Sequence, residues 1–177
     1  LMNRTVMQNL ARTAFAMIGT IAWAQAAEIA TPQTDQQRQN LEVVRHWEAT
    51  YNEGPADVFI KESYAQDADV YFTGASAHGH QQFIKLETAI LAAAPGRKMR
   101  IDRILFSGDD IVIVEAVILD TARPEFFSPW VALLTIRDGK IVQDRTYLEP
   151  VRWPGIEAAA GIPTPGGLGA VIPPEKS

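Results

Sequence analysis

Residues 139–150, GKIVQDRTYLEP, combine the alternation of a β-strand with a carboxylate on one of its faces. Side chains of a strand alternate between the two faces of the sheet. One face carries Val142, Asp144, Thr146 and Leu148, and the other carries Gln143, Arg145, Tyr147 and Glu149. If the first face lies inside the protein, loss of water raises the pKa of Asp144 toward the range of a general base. The other interpretation is that Asp144 lies near the strand start and is solvated or bonded to backbone.

Three helices are predicted ahead of the sheet that must hold this strand. A capping box begins at Thr34, and apolar residues then recur at three- and four-residue spacing until Gly54 ends the pattern. These apolar residues are Leu41, Val44, Trp47 and Tyr51. Pro55 can begin a second, shorter helix. A third helix is predicted from about His80 to Pro95-Gly96.

The remaining elements are predicted strands. A short strand at 69–72 is followed by a loop of small residues at 73–79. The strands after Gly96 are Met99–Ser107, Ile111–Asp120, Phe127–Arg137 and Lys140–Glu149. The pair Asp138-Gly139 is a strong signal for a two-residue hairpin turn. Helices first and an antiparallel meander second indicate the α+β class.

Residues 1–26 have the pattern of a secretory leader. Arg4 and Arg12 precede an uncharged apolar run, and Ala24-Gln25-Ala26 matches a cleavage site. The run of about twelve residues is shorter than the roughly 20 that a membrane-spanning helix requires. We therefore predict an exported protein, periplasmic or secreted, that has no membrane segment after cleavage. The alternative is an amphipathic N-terminal helix that stays on the protein.

The chain without this leader is acidic and long enough for one domain. Loss of the two arginines in residues 1–26 changes the formal charge from −5 to −7, which argues against nucleic acid as a partner. The absence of cysteine excludes disulfides and a thiolate nucleophile. Residues 27–152 are predicted to form the domain. In residues 153–177, ten of 25 residues are Pro or Gly, which predicts a tail without regular structure.

The order of elements resembles the nuclear transport factor 2-like superfamily, at the level of its SnoaL-like and ketosteroid-isomerase-like enzymes. The resemblance covers about 120 residues. It is carried by VVRHWEATYNEGPADVF (43–59), YAQDADVYF (64–72), HGHQQFIK (78–85) and RDGKIVQDRTYLEP (137–150). RTYLEP and the later AAGIPTP (159–165) are also similar to the phenazine-biosynthesis proteins of this superfamily. The resemblance implies a cone-shaped fold, with three N-terminal helices packed on a curved antiparallel sheet.

Most catalytic positions of these families are not matched by this chain. Phe72 stands where ketosteroid isomerases have a general-base Asp, Trp47 where they have an oxyanion tyrosine, and Ala132 near their second oxyanion acid. Thr146 stands where cyclase-like members have an Asp and the phenazine proteins a Glu. The resemblance does imply that Asp144 faces the cone interior together with Trp130, Ala132 and Leu134.

A ligand pocket in the cone would be walled by aromatic side chains. The predicted ligand-binding residues are Trp47, Tyr51, Phe72, Trp130, Thr146 and Leu148. For the aromatic ones, ordinary core packing is the equal alternative. Asp144 is the predicted base, with His78 at the pocket rim as its acid–base partner. The pair His78 and His80 could also be structural, and a metal site is not predicted because only His46 remains as a third His ligand.

We therefore predict a protein that holds a small apolar or aromatic molecule and performs isomerisation, dehydration or cyclisation by proton transfer without a cofactor. The alternative is a non-catalytic binding or assembly module of the same fold. A homodimer is also predicted, because the outer sheet face combines apolar and polar residues and the helices can cover only one face. These outer residues are Ile111, Ile113, Val117, Arg145, Tyr147 and Glu149.

Overall fold

The computed structural model describes residues 26–73, 75–122, 124 and 126–148. All of the predicted leader except Ala26, and the whole of the predicted tail at 153–177, lie outside the described residues. No helix in the described part of the chain is both long and apolar enough to span a membrane.

Three helices form as the sequence predicts. They are α1 (Asp35–Glu53), α2 (Ala56–Ser63) and α3 (Gly79–Ala93). Thr34 caps α1, since its hydroxyl accepts a hydrogen bond from the backbone N–H of Gln37 at 3.2 Å. The Gln37 side chain in turn accepts from the N–H of Gln33 at 2.7 Å. Two backbone donors at the start of α1 are thereby satisfied.

The sheet has seven strands within the described residues. They are β1 (Glu28–Ile29), β2 (Tyr64–Phe72), β3 (Ala75–His78), β4 (Arg97–Ser107), β5 (Ile111–Asp120), β6 (Phe127–Arg137) and β7 (Lys140–Leu148). Their order is β1-β4-β5-β6-β7-β2-β3. The α+β class is thus confirmed.

The predicted meander from β4 to β7 is antiparallel, but the sheet as a whole is mixed, because β1 runs parallel to β4 and β2 runs parallel to β7. Parallel neighbours need a long connection, which α3 and the strands between β2 and β7 supply. The predicted loop at 73–79 also contains β3, whose small residues pair antiparallel with β2.

The three helices pack on the inner face of the sheet, where the core lies. Val44 of α1 and Ile60 of α2 are fully buried, as are Val112 and Val114 of β5. On β6 the alternation predicted for the interior is observed, with Trp130, Ala132 and Leu134 all buried.

The start of β7 departs from strict alternation. Its pairing with β6 shifts between Thr135 and Ile136, and at this irregularity Ile141 is fully buried while Val142 is only half-buried. The placement of Val142 on the inner face is therefore wrong, because the extra residue of a bulge reverses the alternation on one side of it. From Asp144 onward the predicted phase is observed.

The outer face of the sheet carries three exposed aromatic side chains among polar residues. Tyr71, Phe127 and Tyr147 are 42%, 49% and 50% exposed, and the rings of Tyr71 and Tyr147 meet edge to face at 6.1 Å. A groove of about 530 Å³ crosses this face between Val117 and Tyr147. Ile111 and Ile113 are half-buried on the same side.

Candidate functional site

A cavity of about 60 Å³ lies between the helices and the inner face of the sheet. Its aromatic lining consists of Trp47, Tyr51, Phe59, Tyr64, Phe72, Phe83 and Trp130. Its polar lining consists of Thr73, Glu87, Arg97, Asp144 and Thr146. This space suits a small molecule or one end of a larger one.

Asp144 is held in the cavity wall by two hydroxyl groups. Its side chain is almost fully buried, with the residue only 1% exposed. Tyr64 Oη donates to Asp144 Oδ2 at 2.7 Å, and Thr146 Oγ1 donates to Asp144 Oδ1 at 2.7 Å. Both carboxylate oxygens are thus oriented, and each keeps a free lone pair.

Burial raises the pKa of Asp144 to about 6. The hydrogen bonds from Thr146 and Tyr64 oppose this shift, and the nearby charge of Glu87 adds to it. A carboxyl group with this pKa is mainly ionised at pH 7, and it binds a proton more readily than an ordinary Asp. That balance is what general acid–base catalysis near neutral pH requires.

Tyr64, at the first position of β2, is a site residue that the sequence analysis missed. It is buried, and its pKa lies well above the usual value because of burial and because of the charge of Asp144. It therefore stays neutral and donates its hydroxyl proton to Asp144. The sequence did contain a signal for the burial of Tyr64, because Tyr64, Ala68 and Val70 are the buried residues of one strand.

A buried ion pair forms a second polar group in the cavity wall. Arg97 donates to Glu87, and both side chains are below 5% exposed. The guanidinium carbon of Arg97 also lies 4.5 Å from the ring centre of Tyr51, in a cation–π contact. Burial acts to lower the pKa of Arg97, but the charge of Glu87, the interaction with Tyr51 and the hydrogen bond to Glu87 together outweigh it and raise that pKa. The sequence analysis missed this pair, although Glu87 lies among the apolar residues Phe83 and Ile90 of α3.

Two tryptophans of the wall have buried N–H groups that find no acceptor in the described part of the chain. The rings of Trp47 and Trp130 meet edge to face, with centroids 5.8 Å apart. Neither Nε1 atom has a hydrogen-bond partner among the described residues. The Trp47 indole N–H acts to lower the pKa of Tyr64 and so lies near its hydroxyl, although the two groups do not form a hydrogen bond.

His78 lies away from this cavity. Its Nδ1 is 2.8 Å from Asp69 Oδ1, and both side chains are about two-thirds exposed. His78 is therefore not the partner of Asp144 that the sequence predicted, because its imidazole at the end of β3 points toward solvent. Tyr64 forms the hydrogen bond to Asp144 instead. His80 lies in the first turn of α3, with Nε2 3.1 Å from the carbonyl oxygen of Tyr64.

The structure brings together the other predicted site residues. Trp47, Tyr51, Phe72, Trp130, Thr146 and Leu148 all line the cavity with Asp144. Thr73, Trp130 and Leu148 also line the groove on the outer face. The cavity and the groove are therefore neighbours near the N-terminal end of β6 and the C-terminal end of β7.

Comparison with known proteins identifies the family. A family model described as a SnoaL-like domain matches residues 43–144, more than half of the chain. A comparison with curated proteins gave no match.

Solved structures of other proteins share the fold of this chain. One of them is a protein from Jannaschia sp. CCS1 that is assigned as a SnoaL-like polyketide cyclase. It is 16% identical to this chain with a TM-score of 0.60, and the match covers 76% of this chain and 100% of that protein. A second is a protein from Catenulispora acidiphila with a ketosteroid-isomerase-like fold, solved in complex with trimethylamine. It is 23% identical with a TM-score of 0.55, and the match covers 69% of this chain and 94% of that protein. A third is IdmH from Streptomyces antibioticus, which is assigned as a polyketide cyclase. It is 20% identical with a TM-score of 0.56, and the match covers 70% of this chain and 99% of that protein.

At these identities the structural neighbours establish the fold alone. They confirm the predicted nuclear transport factor 2-like cone, with three helices on a curved sheet. The closer likeness to the phenazine proteins stays a prediction. Since the family model covers more than half of the chain, from within α1 to Asp144 on β7, the chain belongs to the family of SnoaL-like domain proteins.

Proposed function

We propose that this protein binds a small, largely apolar molecule in the cone cavity and transfers a proton on it without a cofactor, with Asp144 as the general base. The observation that carries the proposal is the buried Asp144 carboxyl, oriented by Tyr64 and Thr146 inside an aromatic cavity. Isomerisation, dehydration and cyclisation can all begin with such a proton transfer.

The geometry supplies each requirement of that step. The two hydroxyl donors hold the Asp144 oxygens in one orientation, so the carboxylate does not have to reorganise as the proton arrives. The aromatic walls exclude water, which strengthens the electrostatic interactions inside the cavity. Asp144 would accept a proton from carbon and return it at a second position, which completes an isomerisation.

A second candidate is a non-catalytic binder. It is favoured by Phe72, Trp47 and Ala132, which stand where related enzymes have acids or a tyrosine. A cage of aromatic rings around a carboxylate also suits a small amine cation. Trimethylamine is the ligand in the Catenulispora structure, which has the same fold.

The two candidates differ in one measurable step. A set of small carbon acids is incubated with the purified protein in D₂O, and deuterium incorporation is followed by NMR. Catalysed exchange that is lost in an Asp144→Asn variant supports the enzyme. Saturable binding of the same compounds without exchange supports the binder and contradicts the enzyme.

Export is part of the proposal and rests on residues 1–26. We expect protein recovered from outside the cytoplasm to begin at Ala27, because the small residues Ala24 and Ala26 form the cleavage site. N-terminal sequencing checks this. An Ala26→Phe variant should keep its leader, and exported wild-type protein that begins at Met2 would contradict the proposal.

The outer sheet face is proposed to join two copies of the chain. Tyr71, Phe127 and Tyr147 form an apolar patch that faces solvent in one copy, and such patches commonly mark interfaces. We expect light scattering at micromolar concentration to report twice the mass of one chain. A Tyr147→Lys variant should give the mass of one chain, and Glu42→Gln on α1 should not change it. A wild-type mass of one chain would reject this interface.

A further inference from the structure

We propose that the groove on the outer face of the sheet is occupied by residues 149–156 of the same chain, EPVRWPGI, which follow β7 directly. These residues lie outside the described part of the chain. The groove is on the opposite face of the sheet from the helices, and its occupant is independent of the proton-transfer function.

The groove has a mostly apolar lining that is open to solvent. Phe127 and Tyr147 line it, and each is about half exposed. Pro129 and Val131 of β6 and Val117 of β5 line it as well. Exposed aromatic surface of this kind commonly marks a contact with another segment of protein.

The chain itself leads into the groove. Leu148, the last residue of β7, lines the groove and pairs with Trp130 of β6. The next residue of β6 toward its N-terminus, Pro129, pairs with Val117 of β5. Two strand spacings of about 4.8 Å separate β7 from β5, and an extended chain spans about 3.3 Å per residue. Residues 149–152 are therefore long enough to cross the groove.

The segment has the chemistry that such a groove binds. Pro150 and Pro154 lack a backbone N–H, so the segment can lie across the sheet with fewer unpaired donors. Their fixed φ angles also reduce the entropy that is lost when the segment is ordered. Proline-rich segments bind aromatic-lined grooves in this way. Trp153 and Ile156 add apolar side chains that can cover the exposed rings of the groove.

Charge complementarity supports the same path. Asp102 of β4 and Glu115 of β5 line the far side of the groove. Asp102 pairs with Arg100 at 2.8 Å and Glu115 with Arg103 at 3.3 Å, and a carboxylate can accept from more than one donor. Arg152 is the only basic residue of the segment, and it stands where the segment reaches β5.

A second copy of the chain fits the groove less well. A two-fold interface brings the same patch of both copies together, so one groove would face another, and two concave surfaces do not fill each other. The segment is already joined to the sheet at Leu148, which gives it an effective concentration on the order of mM. Tyr71 lies outside the groove lining, so its side of the outer face remains available for the dimer proposed above.

The accessibility of the groove tests the proposal in the full-length chain. The chain has no cysteine, so a single Val131→Cys substitution places the only thiol in the groove. We expect a further Trp153→Ser substitution to raise the rate of modification by a water-soluble thiol reagent by about tenfold or more, because the groove would then be open most of the time. Glu42→Cys, exposed on α1, is the control and should react equally fast with and without Trp153→Ser. Equal rates for the two Val131→Cys proteins would overturn the proposal. If these equal rates also fell as the protein concentration rose, the occupant would be a second copy.

A spin label distinguishes the segment of the same chain from that of a second copy. Glu157→Cys is labelled in ¹⁵N-enriched protein, and the broadening of the Val117 and Val131 amide signals is measured. A second sample mixes labelled, unenriched protein with ¹⁵N-enriched wild type. We expect stronger broadening in the first sample than in the second, and weaker broadening of the α1 amides than of the groove amides. Equal broadening in the two samples would assign the groove to the segment of a second copy, and no broadening would place the segment elsewhere. Either result would overturn the proposal.

Discussion

Replacement of Asp144 by Asn should reduce protein-catalysed exchange of carbon-bound protons by about 10²–10⁴-fold, because an amide cannot act as the base. The fold should remain, since the two side chains have nearly the same size. Tyr64 and Thr146 can still satisfy the amide, because each hydroxyl both donates and accepts. The measurement is the initial rate of deuterium incorporation, with circular dichroism to verify folding.

The pH dependence of the wild type should identify the same group. The rate should rise through a midpoint at about pH 6 and level off above it, because the ionised form of Asp144 is the base. Asp69→Asn is the matched control, since Asp69 lies on the neighbouring strand β2 and is exposed. A wild-type profile without this midpoint, or equal rates for Asp144→Asn and wild type, would contradict the role of Asp144.

The stability of the same variant follows from the direction of the pKa shift. The pKa of Asp144 is higher in the folded protein than in the unfolded chain. The contribution of this raised pKa to the unfolding free energy is therefore complete below about pH 4, and it is lost as the pH rises through about 6. The loss amounts to about 3 kcal/mol of unfolding free energy. Asp144→Asn lacks this dependence, so its unfolding free energy should vary less than that of the wild type between pH 4 and pH 7.

Among the substitutions proposed for this protein, loss of the Arg97 guanidinium should lower the free energy of unfolding most. In Arg97→Met, the buried Glu87 carboxylate loses its ion-pair partner, and Tyr51 loses its cation–π contact. Removing one partner of a buried pair typically costs about 3–5 kcal/mol. For a domain of this size that lowers Tm by on the order of 10 °C. Urea unfolding at pH 7 measures the change.

A double variant tests whether the lost partner is the cause. Glu87→Leu combined with Arg97→Met removes both charges, and it should recover most of the stability, because apolar replacement of a whole buried pair is often close to neutral. Lys61→Met breaks the exposed Lys61–Asp57 pair and should have little effect. An Arg97→Met variant as stable as the wild type, or a double variant no better than the single one, would contradict this account.

The local pattern of the sequence determined the helices, the later strands and which residues share a face with Asp144. The period of α1 placed Trp47 toward the core, and the alternation after the β7 bulge placed Asp144 and Thr146 on one face, which the structure shows to be buried. These features depend on neighbours a few residues apart along the chain. Side-chain direction within one element follows from backbone geometry, so a single sequence was sufficient for them.

Only the tertiary structure decided which groups meet Asp144. Tyr64 reaches it across 80 residues of sequence through the parallel pairing of β2 with β7, and Glu87 meets Arg97 where α3 returns to β4. His78 was predicted as the partner because its chemistry was suitable, but β3 turned it outward to Asp69. The sequence therefore determined the face that carries the acid, whereas long-range strand pairing and helix packing determined its partners. The local periodicity of the chain can indicate that Tyr64 and Glu87 are buried, but it does not indicate which residues they meet.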